Sequence, residues 1–83
     1  MNAEDYRRAQ QGMAELKAAV VSLLERHAGL TNAAVGRTLG IYAGHKGHEG
    51  HISRTILGML EQEGVVEQSA SDQTWSIRRH VAD

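Results

Sequence analysis

Apolar positions recur at helical spacing over the first third of the chain. From Tyr6 to His27 they alternate steps of three and four residues, which places them on one stripe of a helix. The stripe contains Tyr6, Ala9, Met13, Leu16, Val20, Leu23 and His27. Gly12 weakens this helix by about 1 kcal/mol relative to alanine, and Gly29 suits its C-terminal end. The pattern predicts a long amphipathic helix whose first two turns either fray or form only against a partner.

Two shorter helices are predicted next. Thr31 or Asn32 can cap a short helix that Gly40 ends. Residues 42–50 contain three glycines and are predicted to form an exposed, mobile loop. A third helix is predicted from about His51 to Glu63, followed by Gly64 as its left-handed cap. Its apolar side is predicted from the helical spacing of Ile52, Ile56, Met59 and Leu60.

The last third of the chain has the signature of a β-hairpin. Short strands are predicted for residues 65–68 and 74–78, with turn-forming residues at 69–73 between them. Trp75 and Ile77 alternate with polar neighbours and are predicted to point inward. The predicted fold class is therefore mainly α with a small β-hairpin, three helices followed by a two-stranded unit.

Composition narrows the possible functions. The 83 residues suit one domain, and 41% hydrophobic with 23% charged residues is typical of a globular chain. The chain has no cysteine, so disulfides and thiolate chemistry are excluded. No apolar run is long enough for a membrane span, the start is polar, and we expect a cytoplasmic protein. Nucleophile-elbow and phosphate-loop motifs are absent, which predicts a protein that is not an enzyme and needs no cofactor.

Charge is distributed unevenly although the net charge is only -1. Residues 61–73 contain four acids and no base. Residues 36–60 contain three bases against the single acid Glu49; the bases are Arg37, Lys46 and Arg54. Three histidines reinforce this stretch: His45, His48 and His51. The middle of the chain is therefore the candidate nucleic-acid surface, although the net charge argues mildly against that class.

Two stretches resemble the winged helix-turn-helix superfamily. Residues 30–41, with Val35, Leu39, Gly40 and Ile41, resemble the first helix and turn of such motifs. The sequence Ile-Leu-Gly-Met-Leu at 56–60, followed by Glu-Gly-Val-Val at 63–66, resembles a recognition helix that runs into the wing. The resemblance covers about residues 13–78. It implies double-stranded DNA binding by a small transcriptional regulator or accessory factor.

The resemblance also implies which residues contact DNA. His51, Ser53 and Arg54 fall in the first turn of the third helix and are expected to face away from Ile52 and Ile56. Arginine there can bond guanine through two hydrogen bonds. Phosphate contacts are expected from Arg37, Lys46, His45 and His48, and from Arg78 and Arg79 at the base of the wing.

Two departures from the winged helix-turn-helix pattern favour a second hypothesis for the function. The turn between the motif helices is three or four residues in the usual motif, whereas residues 42–50 are longer. The predicted wing tip has Asp72 and no base. The alternative is a protein-protein interaction module that uses the same fold within a larger DNA-processing assembly.

Two further expectations concern association and metal. The apolar stripe of the first helix continues past a small core, which predicts a homodimer through residues 1–12, an extension of the 13–78 domain. Residues 79–83 are predicted as a polar tail. His45, His48 and His51 lie in a glycine-rich stretch, so we expect adventitious metal binding at most, and chelation should leave the melting temperature unchanged.

Overall fold

Over the residues that the structure describes, the chain folds into three helices and a two-stranded antiparallel hairpin. A computed structural model describes residues 3–42 and 50–79. The elements are α1 (Ala3–Arg26), α2 (Asn32–Thr38), α3 (His51–Gln62), β1 (Val66–Gln68) and β2 (Trp75–Ile77). This confirms the predicted helical class and element order, and each boundary falls within about three residues of its predicted position.

The N-terminal part of α1 projects beyond the rest of the molecule. At 24 residues, the helix is about 36 Å long. Residues 3–11 are all exposed, and the first side chain packed against the core is Met13. The radius of gyration is 13.9 Å, whereas a compact chain of this length has about 12 Å. The projecting turns of α1 contribute to this difference.

Capping groups define both ends of α2. The Thr31 side chain accepts a hydrogen bond from the Ala34 N–H at 3.2 Å, so Thr31 is the N-cap that the sequence predicts as one of two. After the helix, Gly40 adopts a φ of 73°, and the Ile41 N–H donates to the Gly36 carbonyl at 2.8 Å. Glycine suits this left-handed position because it has no Cβ.

The hairpin gains a third partner that the sequence did not predict. β1 and β2 pair with Val66 opposite Ile77 and Gln68 opposite Trp75. Leu30, in the connection between α1 and α2, forms an antiparallel bridge with Trp75. The Trp75 N–H donates to the Leu30 carbonyl at 2.7 Å, and the Leu30 N–H donates to the Trp75 carbonyl at 3.2 Å. The hairpin is thus tied to the start of α2.

One small core joins all five elements. Its buried members are Val20, Leu23, Leu24, Val35, Ile56, Leu57, Leu60, Val66 and Trp75. The inward orientation predicted for Trp75 is confirmed, since only 5% of the residue is exposed. At the core's edge, the Lys17 ammonium lies 2.6 Å from the Glu63 carboxylate, which links α1 to the end of α3.

Two further observations concern the described residues only. None of their helices is long and apolar enough to cross a bilayer. Residues 3–42 and 50–79 also contain no group of three or more histidine or carboxylate side chains arranged to hold a metal ion.

Candidate nucleic-acid interface

The first turn of α3 presents two of the expected contact residues to solvent. His51 and Arg54 are exposed, and Thr55 is exposed beside them. The turn begins at Gly50, whose φ of 82° lies in the left-handed region. The Gly50 carbonyl accepts the Arg54 N–H at 3.0 Å, which fixes the backbone of this turn.

Ser53 and Ile52 lie on the opposite sides from those the sequence predicted. Ser53 is completely buried, whereas Ile52 is 40% exposed. The Ser53 hydroxyl donates to the Gly50 carbonyl at 3.1 Å. The buried row of α3 contains Ser53, Ile56, Leu57 and Leu60. The prediction that Ser53 faces outward with Arg54 was therefore wrong, and a direct contact from this buried side chain to DNA is excluded in this conformation.

Close approach of α2 to α3 explains the burial of Ser53. A Cβ added to Gly36 would lie 2.9 Å from the Ser53 hydroxyl oxygen, so only a small residue fits on each side. A large side chain at position 53 would separate the helices. The apolar spacing alone did not predict this, because the residue that occupies the crossing is small and polar.

Arg37 and Tyr42 extend the exposed face of α3. The Arg37 guanidinium lies 4.6 Å from the centroid of the Tyr42 ring, a cation–π distance. The same ring reaches the start of α3, because a Cβ added to Gly50 would lie 2.6 Å from Tyr42 Cε1. The structure therefore brings Arg37 next to the first turn of α3. Sequence analysis missed Tyr42, although an aromatic residue directly before a glycine-rich stretch is a usable signal.

The remaining predicted contacts fall elsewhere. His45, Lys46 and His48 lie outside the described residues. Arg78 and Arg79 are exposed, and the Arg78 N–H donates to the carbonyl of Val65, just after the end of α3. The backbone of Arg78 is therefore at the opposite end of α3 from Arg54. The structure does not bring Arg78 and Arg79 together with the first turn of α3.

A groove of about 390 Å³ lies between the start of α2, the first turn of α3 and the hairpin. Its walls are formed by Thr31, Asn32, Ala33, Tyr42, Arg54, Gln68, Asp72, Gln73 and Trp75. Two lining residues have a buried polar atom with no hydrogen-bond partner among the described residues, Asn32 Oδ1 and Trp75 Nε1. No sequence motif predicted this groove, because residues from three separate segments form it.

Asp72 is held in place at the hairpin turn. Its carboxylate accepts hydrogen bonds from the Thr74 hydroxyl at 2.8 Å and from the Thr74 N–H at 3.1 Å. These two hydrogen bonds from Thr74 lower the pKa of the Asp72 carboxyl below its ordinary value. The next residue, Gln73, adopts a φ of 62°, which completes the turn. The hairpin tip therefore presents a fixed negative charge.

No model of a known protein family, no curated protein and no solved structure matches this chain. The function of the surface around α3 is therefore inferred from the residues of that surface alone.

Proposed function

We propose that this chain is a winged helix-turn-helix protein that binds double-stranded DNA, as a small transcriptional regulator or an accessory DNA-binding factor. In this arrangement α2 supports α3, α3 enters the major groove, and the hairpin is the wing. The observation that carries the proposal is the exposed pair His51 and Arg54 in the first turn of α3, beside Arg37 stacked on Tyr42.

Each cation has a distinct part in the proposal. Arg54 has no ion pair among the described residues, so its guanidinium is available for two hydrogen bonds to guanine. Arg37 is directed by the Tyr42 ring and contacts phosphate, as does Lys46 from outside the described residues. Such contacts position the protein without reading sequence. Arg78 and Arg79 would contact the backbone only further along the duplex.

Two-fold pairing through α1 is the second part of the proposal. Tyr6 is 63% exposed on turns that have no contact with the core. A second copy is the expected partner, because two paired domains would address two DNA half-sites. Association would also support the turns that Gly12 weakens.

A protein-protein interaction module is the second candidate. Ile52 is 40% exposed in the first turn of α3, and Asp72 gives the hairpin tip a negative charge. An apolar side chain and an acidic tip suit a protein partner better than a phosphate backbone. A salt titration with duplex DNA separates the two candidates.

The test measures binding to a duplex selected from a random pool and to an unselected duplex, by fluorescence anisotropy. Arg54→Ala should cost about 1 to 3 kcal/mol on the selected site and much less on the other. Arg26→Ala is the matched control, because it removes the same charge from an exposed position in the last turn of α1. Absence of duplex binding by the intact chain at low salt would reject the DNA proposal in favour of the interaction module.

A further inference from the structure

The groove beside Arg54 has the dimensions of a small-molecule site. Its volume of about 390 Å³ lies within the range of roughly 300 to 1,000 Å³ for such sites. Six of its nine lining residues are polar or charged: Thr31, Asn32, Arg54, Gln68, Asp72 and Gln73. A groove with this lining suits a small polar ligand that pairs with its charged side chains.

The groove carries one cation and one anion that do not neutralise each other. Arg54 and Asp72 both line it, yet no ion pair joins them among the described residues. The Thr74 hydrogen bonds hold the Asp72 carboxylate in position. A ligand with a negative and a positive group would pair with Arg54 and Asp72 respectively. A ligand with only a negative group would be repelled by Asp72.

We propose that this groove binds a free α-amino acid. Its carboxylate accepts hydrogen bonds from the Arg54 guanidinium. Its ammonium group donates to the Asp72 carboxylate. The neutral amides of Gln68 and Gln73 lie on the remaining wall, beside the ligand's side chain.

Ligand binding would regulate DNA binding, and this part of the inference rests on the proposed function. The Arg54 guanidinium cannot bond a ligand carboxylate and a guanine edge at the same time. The amino acid and the duplex therefore oppose each other, and each lowers the affinity for the other by the same factor.

Ligand binding is tested first on the protein without DNA. A panel of free L-α-amino acids at millimolar concentration is screened by thermal shift, and calorimetry gives the affinity of each hit. At least one amino acid should raise the melting temperature, because a ligand that binds only the folded chain stabilises it. The N-acetylated and C-amidated forms of that amino acid should each bind at least about tenfold more weakly, since each lacks one charge. No hit in the panel, or equal binding of either blocked form, would overturn the proposal.

Substitutions locate the site. Asp72→Asn should weaken the amino acid about tenfold, whereas Glu61→Gln, the same charge change on an exposed part of α3 outside the groove, should not alter binding. Equal losses in Asp72→Asn and Glu61→Gln would overturn the site. In a final step the hit should raise the duplex dissociation constant about fivefold or more. If the amino acid binds and no duplex does, the DNA proposal and the regulation that rests on it fail, whereas the amino-acid site stands.

Discussion

The guanidinium of Arg37 stacks on the ring of Tyr42, with 4.6 Å between the guanidinium carbon and the ring centroid. Tyr42 therefore has a part in directing Arg37 as well as in joining α2 to α3. Tyr42→Leu should weaken duplex binding by about 0.5 to 1 kcal/mol, the value of an exposed cation–π contact. Tyr42→Phe should retain it, because the ring remains. Anisotropy titrations with melting curves check this, and equal affinity of both variants would contradict it.

The close packing of α2 against α3 depends on the absence of a side chain at Gly36. A Cβ on Gly36 would lie 2.9 Å from both the Ser53 hydroxyl oxygen and Tyr42 Cδ1. Gly36→Ala should therefore destabilise the protein by about 1 to 3 kcal/mol through overpacking. Gly58→Ala is the matched control, because nothing lies within 4 Å of a Cβ at that helical position. It should stabilise α3 by up to about 1 kcal/mol. Denaturant titration should show shifts of opposite sign.

The pattern of apolar residues predicts the element order because periodicity depends on local geometry. It gave the wrong orientation for Ser53 and Ile52, because the buried row of α3 is set by a close helix crossing. It also missed the bridge between Leu30 and Trp75, which are distant in sequence. The groove was missed for the same reason, since its walls meet only after the hairpin packs beside α2.

Substitution of Lys46 and substitution of Arg54 should weaken DNA binding in different ways. Lys46→Ala should weaken selected and unselected duplexes alike and reduce the salt slope by about one unit, because a phosphate contact releases a counterion whatever the sequence. The loss with Arg54→Ala should concentrate on the selected site. Affinities measured over a range of salt concentrations distinguish the two patterns. Parental binding by both variants would count against the DNA proposal.

Association should depend on the projecting turns of α1. Deletion of residues 1–11 removes the exposed Tyr6 but leaves Met13, the first core contact. The shortened chain should therefore fold and lose self-association. Light scattering and far-ultraviolet circular dichroism measure the two properties. A monomeric intact chain at high concentration would show that the dimer proposal is wrong.

The pKa of the Asp72 carboxyl at the hairpin tip should depend on Thr74. Thr74→Val removes the hydroxyl donor, so the pKa of the Asp72 carboxyl should rise toward its ordinary value. Because the Thr74 hydrogen bonds lower the pKa of Asp72 in the folded protein, they stabilise the folded state at pH values above the unfolded pKa of this carboxyl. This contribution to the free energy of unfolding is lost as the pH falls through the folded pKa. An NMR titration of the carboxyl carbon measures the shift. An unchanged Asp72 pKa in Thr74→Val would assign the depression to other groups.

The bridge between Leu30 and Trp75 makes the hairpin part of the molecule's cooperative unit. A hairpin of two three-residue strands is marginal by itself in water, but β2 shares its backbone hydrogen bonds with the α1–α2 connection as well as with β1. Any fluctuation that frees Trp75 also exposes a large core side chain and loosens the cap of α2. Opening of the hairpin therefore also breaks backbone hydrogen bonds to the α1–α2 connection, so the hairpin opens less readily than a free two-stranded hairpin would.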